Sequence, residues 1–394
     1  VAFVKARLQA EGKDVVVVDA GCTGEPAVEA DVDRADVFLA AGVTLQAVQQ
    51  RGDRGYAVSL AAEGVRNLIC DAADRGQVDG ILALGGSAGT TIGTAAMRAL
   101  PLEVPKVMVS TMASGQTRPY IGGRNILMLN SVVDIAGINR ISRTVLRQAA
   151  AAMLGMLDHF GVGPVDDEDR PLIAATMFGV TTPCVTHAKQ ILEKAGYEVL
   201  VFHATGNGGE AMEGLIRDGL IAGVLDMTTT ELADELVGGV LSAGPGRLTA
   251  AAEAGVPQVI SAGACDMVNF GSPDTVPEKF KDRTFHEHNA SVTLMRTTMD
   301  ECQQLGEEIG RKASASTGPV SVMFPSLGVS AIDVDGQPFD NWAARMALWE
   351  GLTRNCSAKV ELSLHQNTIN DPEFAEAAAQ RLLAMLSAVA DCLQ

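Results

Sequence analysis

Short runs of branched apolar residues alternate along this chain with longer stretches whose apolar positions recur at helical spacing. The runs are VVVVD at 15–19, GILAL at 80–84, KVMVS at 106–110, LIAAT at 172–176, EVLVF at 198–202, GVLDM at 223–227, QVISA at 258–262 and VSVMF at 320–324. Each is apolar on both faces, which suits parallel strands covered by helices on both sides. Between them, Phe3–Gln9 and His187–Ala195 read as amphipathic helices, with Ile191 and Leu192 inward and Glu193 and Lys194 outward. Gly12 and Gly196 follow them as C-terminal stops. Ile141, Val145, Ala149 and Met153 mark one face of a further helix.

The pattern also repeats. VKARLQAEGKDVVVVDAG resembles AKQILEKAGYEVLVFHAT, QVDGILALGGSAGTT resembles LIAGVLDMTTTELAD, and EVPKVMVSTMASG resembles GVPQVISAGACDM. The order is preserved while the loops differ in length. This predicts an α/β protein of two Rossmann-like, doubly wound parallel-sheet subdomains with a cleft between them. The first covers 1–165 and the second 170–394, with the boundary at GPVDDEDRP, 163–171, where prolines flank an acidic run. The repeat predicts a strand ahead of Phe3 to match LIAAT. The last segment, DPEFAEAAAQRLLAML, reads as a helix with Asp371 as N-cap and Pro372 at its first position, packing back across the first domain.

Charge narrows the function. The formal net charge is -18, which excludes a general affinity for nucleic acid or for an anionic membrane surface. No apolar run is long enough to span a bilayer, and no basic-then-apolar leader opens the chain. The seven cysteines are scattered and form no CxxC pair, so a reducing, cytoplasmic setting fits better than a disulfide framework or a structural zinc site. Against this acidity, Val104–Arg147 holds Lys106, Arg118, Arg124, Arg140, Arg143 and Arg147 with Asp134 as its single acid. Such an island attracts a compact polyanion, or meets an acidic face of another subunit.

Candidate chemistry gathers after the strands. ILALGGSAGTTIGTAAM, 81–97, passes from a strand through Gly85, Gly86, Ser87, Gly89, Thr90 and Thr91 into a helix. A helix N-terminus that follows a glycine-rich turn presents N–H groups to an anion. The spacing is neither a P-loop nor G-x-G-x-x-G. A second loop carries Ser110, Thr111, Ala113, Ser114 and Gly115, and loops at neighbouring strand ends meet at one crevice. In the second half, His187 and Asp266 follow the corresponding strands, and His286 and His288 flank Glu287. These four are the acid/base candidates; Cys265 reads as a buried, inert thiol.

The stretches VVVVDAG, ILALGGSAGTT, PKVMVSTMASG, HNASVTLMRTT and FPSLGVSAIDVDGQPF make the chain resemble a bacterial, fungal and plant family. That family is named after the ATP-binding domain of the tomato mosaic virus resistance protein. The resemblance runs in order along nearly the whole chain. It implies two Rossmann-like subdomains, an ATP site and self-association into a dimer or higher homo-oligomer. The family usually opens with a strand and a Gly-Thr…Asp-Thr-Lys-Gly segment, and this chain begins after that point.

The leading reading is therefore an ATP- or nucleotide-binding protein. The two loops hold the phosphates, Arg118 or Arg124 compensates their charge, and Mg²⁺ rides on phosphate oxygens and water. A cleft enzyme of hydrolase or lyase type, acting on a small carboxylate or phosphorylated metabolite through His187, Asp266, His286 and His288, is the first alternative. A regulatory module stabilised by ATP is the second.

Overall fold

Seven of the eight apolar runs are strands, and the helical stretches lie between them, in a computed structural model that describes residues 1–24, 26, 28–159 and 170–392. The chain divides into two compact units, Val1–Val165 and Asp166–Gln394. The linker proposed at 163–171 falls, for 163–169, outside the described residues.

The first unit contains α1 (Ala2–Ala10), α2 (Arg34–Ala40), α3 (Leu45–Arg51), α4 (Arg54–Asp74), β1 (Ile81–Gly85), α5 (Ser87–Ala99), β2 (Lys106–Ser110), α6 (Arg118–Ile121), β3 (Leu127–Asn130) and α7 (Arg140–His159). Its sheet is parallel, in the order β1-β2-β3. β2 is buried throughout, whereas β1, at the edge, is only half-buried. Val145, Ala149 and Met153 of α7 pack with Val4 and Leu8 of α1 on one face. Residues 15–19 do not form the expected strand; Val18 makes an isolated parallel bridge to Val32, and Val16 is exposed. The reason is one of partners. Among the described residues no strand lies along the outer edge of β1, so the ladder that would order 15–19 is missing.

The second unit contains β4 (Leu172–Met177), α8 (Thr182–Lys194), β5 (Glu198–His203), α9 (Asn207–Arg217), β6 (Ile221–Thr228), α10 (Thr230–Val237), α11 (Ala250–Ala254), β7 (Gln258–Gly263), β8 (Met267–Phe270), β9 (Phe285–Asn289), β10 (Val292–Arg296), α12 (Met299–Ser314), β11 (Val320–Pro325), α13 (Trp342–Asn355), β12 (Glu361–His365) and α14 (Pro372–Cys392). Its six-stranded sheet runs β12-β11-β7-β6-β4-β5, all parallel. The chain starts at β4, steps to β5 on one side and then to β6 on the other, the reversal at which doubly wound sheets open a crevice. Here β4 sits between β5 and β6 and gives both a partner.

Helices cover both faces of this sheet. Met212 and Ile216 of α9 pack with Ala174 and Val224. Phe374, Ala378 and Leu382 of α14 pack with Ile173 and Leu225 on another side. The apolar face of α14, which the sequence offered to the first domain, is thus used within its own unit. Pro372 does open this helix, but the Asp371 carboxylate turns back to accept from the Thr368 N–H and hydroxyl, each at 2.8 Å. The sequence also missed a separate antiparallel sheet, β8-β10-β9. Among the described residues no helix is long and apolar enough to cross a membrane.

Candidate functional site

The glycine-rich turn contains residues of two kinds. Gly85 and Gly89 are packing residues: a Cβ on Gly85 would lie 2.5 Å from the Gly89 Cα, and one on Gly89 would lie 3.2 Å from the Leu84 carbonyl oxygen. Gly93 continues this face, with the Ala83 Cβ 2.5 Å from where its own would be. Spacing of four therefore brings α5 down onto β1. Gly86 differs. It is the N-cap of α5 in extended conformation, and the nearest atom to its missing Cβ is the Thr111 Oγ1 at 3.6 Å.

The hydroxyls divide in the same way. The buried Thr90 Oγ1 lies 2.6 Å from the buried Ser110 Oγ and donates to the Gly86 carbonyl at 2.7 Å. Thr91 donates to the Ser87 carbonyl at 3.0 Å. Ser110 in turn accepts from the Met112 N–H. These hydroxyls tie the two loops together and leave little for a guest. Ser87, Ser114 and Gly115 are exposed, while Thr111 and Ala113 are half-buried. α5 has no side-chain cap among the described residues and no acid in its own first turn, so the N–H groups of Ser87, Ala88 and Gly89 form a positive helix end.

That end borders an open groove in the first unit, which runs between residues 15–18 and the outer edge of β1, where no strand lies among the described residues. Its wall includes Ala88 and Gly89 of α5, the Gly21–Thr23 turn and Arg54 at the start of α4, and it continues down along β1. The Gly21–Thr23 turn is braced: Gly21 N–H donates to the Asp19 Oδ1 at 2.9 Å, and Arg34 donates to the Asp19 Oδ2 at 2.7 Å and to the Gly24 carbonyl at 2.6 Å. Neither this turn nor Arg54 was found by sequence reasoning. The signal was present, since AGCTG follows VVVVD as the second half's ATGNG follows its own strand, but without an ordered strand the match carried no geometry.

The basic island is thinner than its composition suggested. Lys106 is buried, and its ammonium donates to the backbone carbonyls of Pro101 and, at 2.9 Å, Val104, so it is spent within the fold. Arg118 begins α6 and is exposed, Arg124 is half-buried before β3, and Arg140, Arg143 and Arg147 are exposed along α7.

In the second unit the acid/base candidates stand on α8, on β9 and just ahead of β8. His187 lies within α8, half-buried, rather than on a loop. His286 and His288 stand on β9, the first edge-on to Phe339 with ring centroids 6.3 Å apart, the second exposed. Asp266 immediately precedes β8, across β10 from them, and is 1 % exposed. Its Oδ2 accepts from the Ser330 hydroxyl at 2.8 Å. Burial and the neighbouring Asp333 charge push its pKa up, against Arg296. At this burial the carboxyl lies within the packing just ahead of β8. Burial likewise pushes the Cys265 thiol up to about 12, so it supplies no thiolate.

Sequence comparison adds relatives to this geometry. Residues 1–160 match the N-terminal domain model, and 170–386 the C-terminal domain model, of the uncharacterised protein family UPF0261. A UPF0261 protein of Clostridium tetani is 48% identical over 385 residues, 98% of this chain and 95% of its own length. One from Mesorhizobium japonicum is 46% identical over 96% of this chain and 94% of its own length. The tomato ToMV resistance protein Tm-1(GCR237) is 44% identical over 84% of this chain, which spans 44% of that protein.

Proposed function

The chain belongs to the UPF0261 family, and from that premise we propose that its first unit binds a nucleotide, ATP, by its phosphates at the start of α5. One observation carries the reading: the N-terminus of a 13-residue helix with no side-chain cap, where Ala88 and Gly89 line a groove, has exposed Arg54 on the same wall as a counter-charge for an anion. Thr111 beside Gly86 brings the second loop to the same place. ATP is the guest that the family resemblance implies. Mg²⁺ in this reading arrives with the nucleotide, held by phosphate oxygens and water. A cytoplasmic protein belongs to the same proposal, supported by the free thiols of Cys22, Cys70, Cys184, Cys265, Cys302 and Cys356; self-association enters it only as what the family resemblance implies.

Gly86→Asp tests it. The position is open and its backbone is in a region any residue adopts, so the aspartate fits. Asp is a strong N-cap; its carboxylate would take the N–H groups that the phosphates need and repel what remains. The expected result by calorimetric titration is a loss of ATP affinity of at least ~100-fold, the scale of a few kcal/mol. Thermal stability should hold or rise, since a cap contributes about 1 kcal/mol. Unchanged ATP affinity would remove α5 from the site.

A further inference from the structure

The second unit already contains an anion at the position where the first unit has a gap. The two units place a helix in the same way after equivalent strands: β1 leads into α5 and β6 into α10. Ala88 and Glu231 are each the second residue of that helix, and the repeat GILALGGSAGTT against GVLDMTTTELAD aligns them. The other half of the repeat aligns the Gly21–Thr23 turn with Thr205–Asn207.

In the second unit Glu231 bridges these two places. Its Oε1 accepts from the N–H groups of Gly206 at 2.7 Å and Gly209 at 3.1 Å, at the start of α9. Its Oε2 accepts from the Arg247 Nε at 2.6 Å. The carboxylate is so close that a Cβ on Gly209 would lie 2.2 Å from it. Burial pushes the pKa of Glu231 up, and Arg247 with the two amides pulls against it. Glu231 is 0 % exposed, and the position is closed to any outside anion.

In the first unit the same position has a methyl group. Ala88, the Gly21–Thr23 turn and Arg54 line one groove, with backbone N–H groups on α5 and a guanidinium at the rim. We infer that a guest phosphate group lies between Ala88 and the Gly21–Thr23 turn, paired with Arg54, in the place that the Glu231 carboxylate occupies in the second unit. This rests on the nucleotide reading above and deepens it. It names the contacts of the anionic end, assigns the counter-charge to Arg54, and restricts binding to one nucleotide per chain, because the second unit fills its own copy of the site.

The inference makes a substitution test available. Ala88→Glu transplants the Glu231 carboxylate; an acid in the first turn of a helix is favourable, so the variant should fold with an unchanged or higher Tm. Ala88→Gln has the same size without the charge. ATP and inorganic tripolyphosphate are titrated calorimetrically into wild type and into both variants. Wild type should bind one equivalent, and Ala88→Glu should bind at least ~10-fold more weakly than Ala88→Gln, because a like charge facing the phosphate costs more than bulk alone. Arg54→Ala should weaken both probes by about 10-fold, the worth of a charge-assisted hydrogen bond. Equal affinities in the Glu and Gln variants, or an unaffected Arg54→Ala, overturn the inferred contacts while leaving the nucleotide reading intact. A wild-type protein that binds neither probe overturns both.

Discussion

Replacing Arg247 with Met is expected to destabilise the second unit by several kcal/mol. Arg247 is 0 % exposed. It donates to the Asp226 Oδ2 at 2.5 Å and Oδ1 at 2.6 Å, to the Glu231 Oε2 at 2.6 Å and to the Thr228 carbonyl at 3.2 Å, and lies 3.5 Å from the Glu213 Oε1. Burial opposes its charge, yet the three carboxylates hold the guanidinium protonated well above its ordinary range. Each acid has a task of its own. Glu213 accepts from the N–H groups of Leu248, Thr249 and Ala250 at the start of α11, Glu231 from those at the start of α9, and Asp226 from the Thr176 hydroxyl. Without the guanidinium, three acids remain in a space without water. Breaking one buried pair costs about 3–5 kcal/mol, and like charges add to that. Both tryptophans, Trp342 and Trp349, lie in α13, so their fluorescence reports this unit. Urea unfolding should show a loss of at least ~4 kcal/mol. Adding Asp226→Asn and Glu231→Gln to Arg247→Met should recover part of it, since no uncompensated charge is then left at two of the three sites. A loss below about 1 kcal/mol, the size of an ordinary surface change, would contradict this account of the network.

The second large effect is a reversal with pH at Asp234. Its Oδ1 accepts from the N–H groups of Leu241 and Asn269, both at 3.1 Å, and its Oδ2 from the Asn269 side-chain amide at 2.7 Å. Burial nevertheless pushes its pKa up to about 7. A carboxyl whose value is higher in the fold than in the unfolded chain contributes stability that is complete below about pH 4. That contribution is lost as the pH rises to about 7, because the unfolded chain releases the proton first. Asp234→Asn keeps the shape and removes the proton. It places an amide against Asn269, whose own Oδ1 is buried without a partner among the described residues and can turn to accept. The stability of wild type relative to the Asn variant should therefore fall by about 4 kcal/mol between pH 4 and pH 8, at roughly 1.4 kcal/mol per pH unit until the folded value is reached. Urea unfolding at the two pH values, again followed by tryptophan fluorescence, measures it. A difference that does not change with pH would mean that Asp234 is ionised in the fold throughout.

Parts of this protein were legible in its residues and parts were not, for reasons visible at single positions. Strand runs such as LIAAT and QVISA declare themselves because they are apolar on both faces, and only a parallel sheet under two helix layers buries both. Residues 15–19 carry the same signal and do not form a strand, because a strand is a pairing and its partner is a separate piece of chain. β9, with the sequence FHEHN, carries little apolar signal of its own and is ordered by pairing with β10. At the site, GGSAGTT was readable as a turn into a helix. The division of labour within it was not: Gly85 and Gly89 allow contact between α5 and β1, and Thr90 bonds Ser110 from 20 residues away. Arg54 escaped notice because nothing in its local sequence relates it to a loop 33 positions downstream, at Ser87.

The sequence by itself determined the α/β fold class, most of the parallel strands and the family, because each of these follows from local periodicity or from residues read in order. The tertiary structure alone decided which charges are spent and which are open. Lys106 and Arg247 are both cations in the sequence. Packing gives one to backbone carbonyls and the other to three carboxylates, while Arg54 is left at the rim of a groove. What a charged group is worth depends on the water it has lost and the partners it has gained, and both are set by residues distant along the chain.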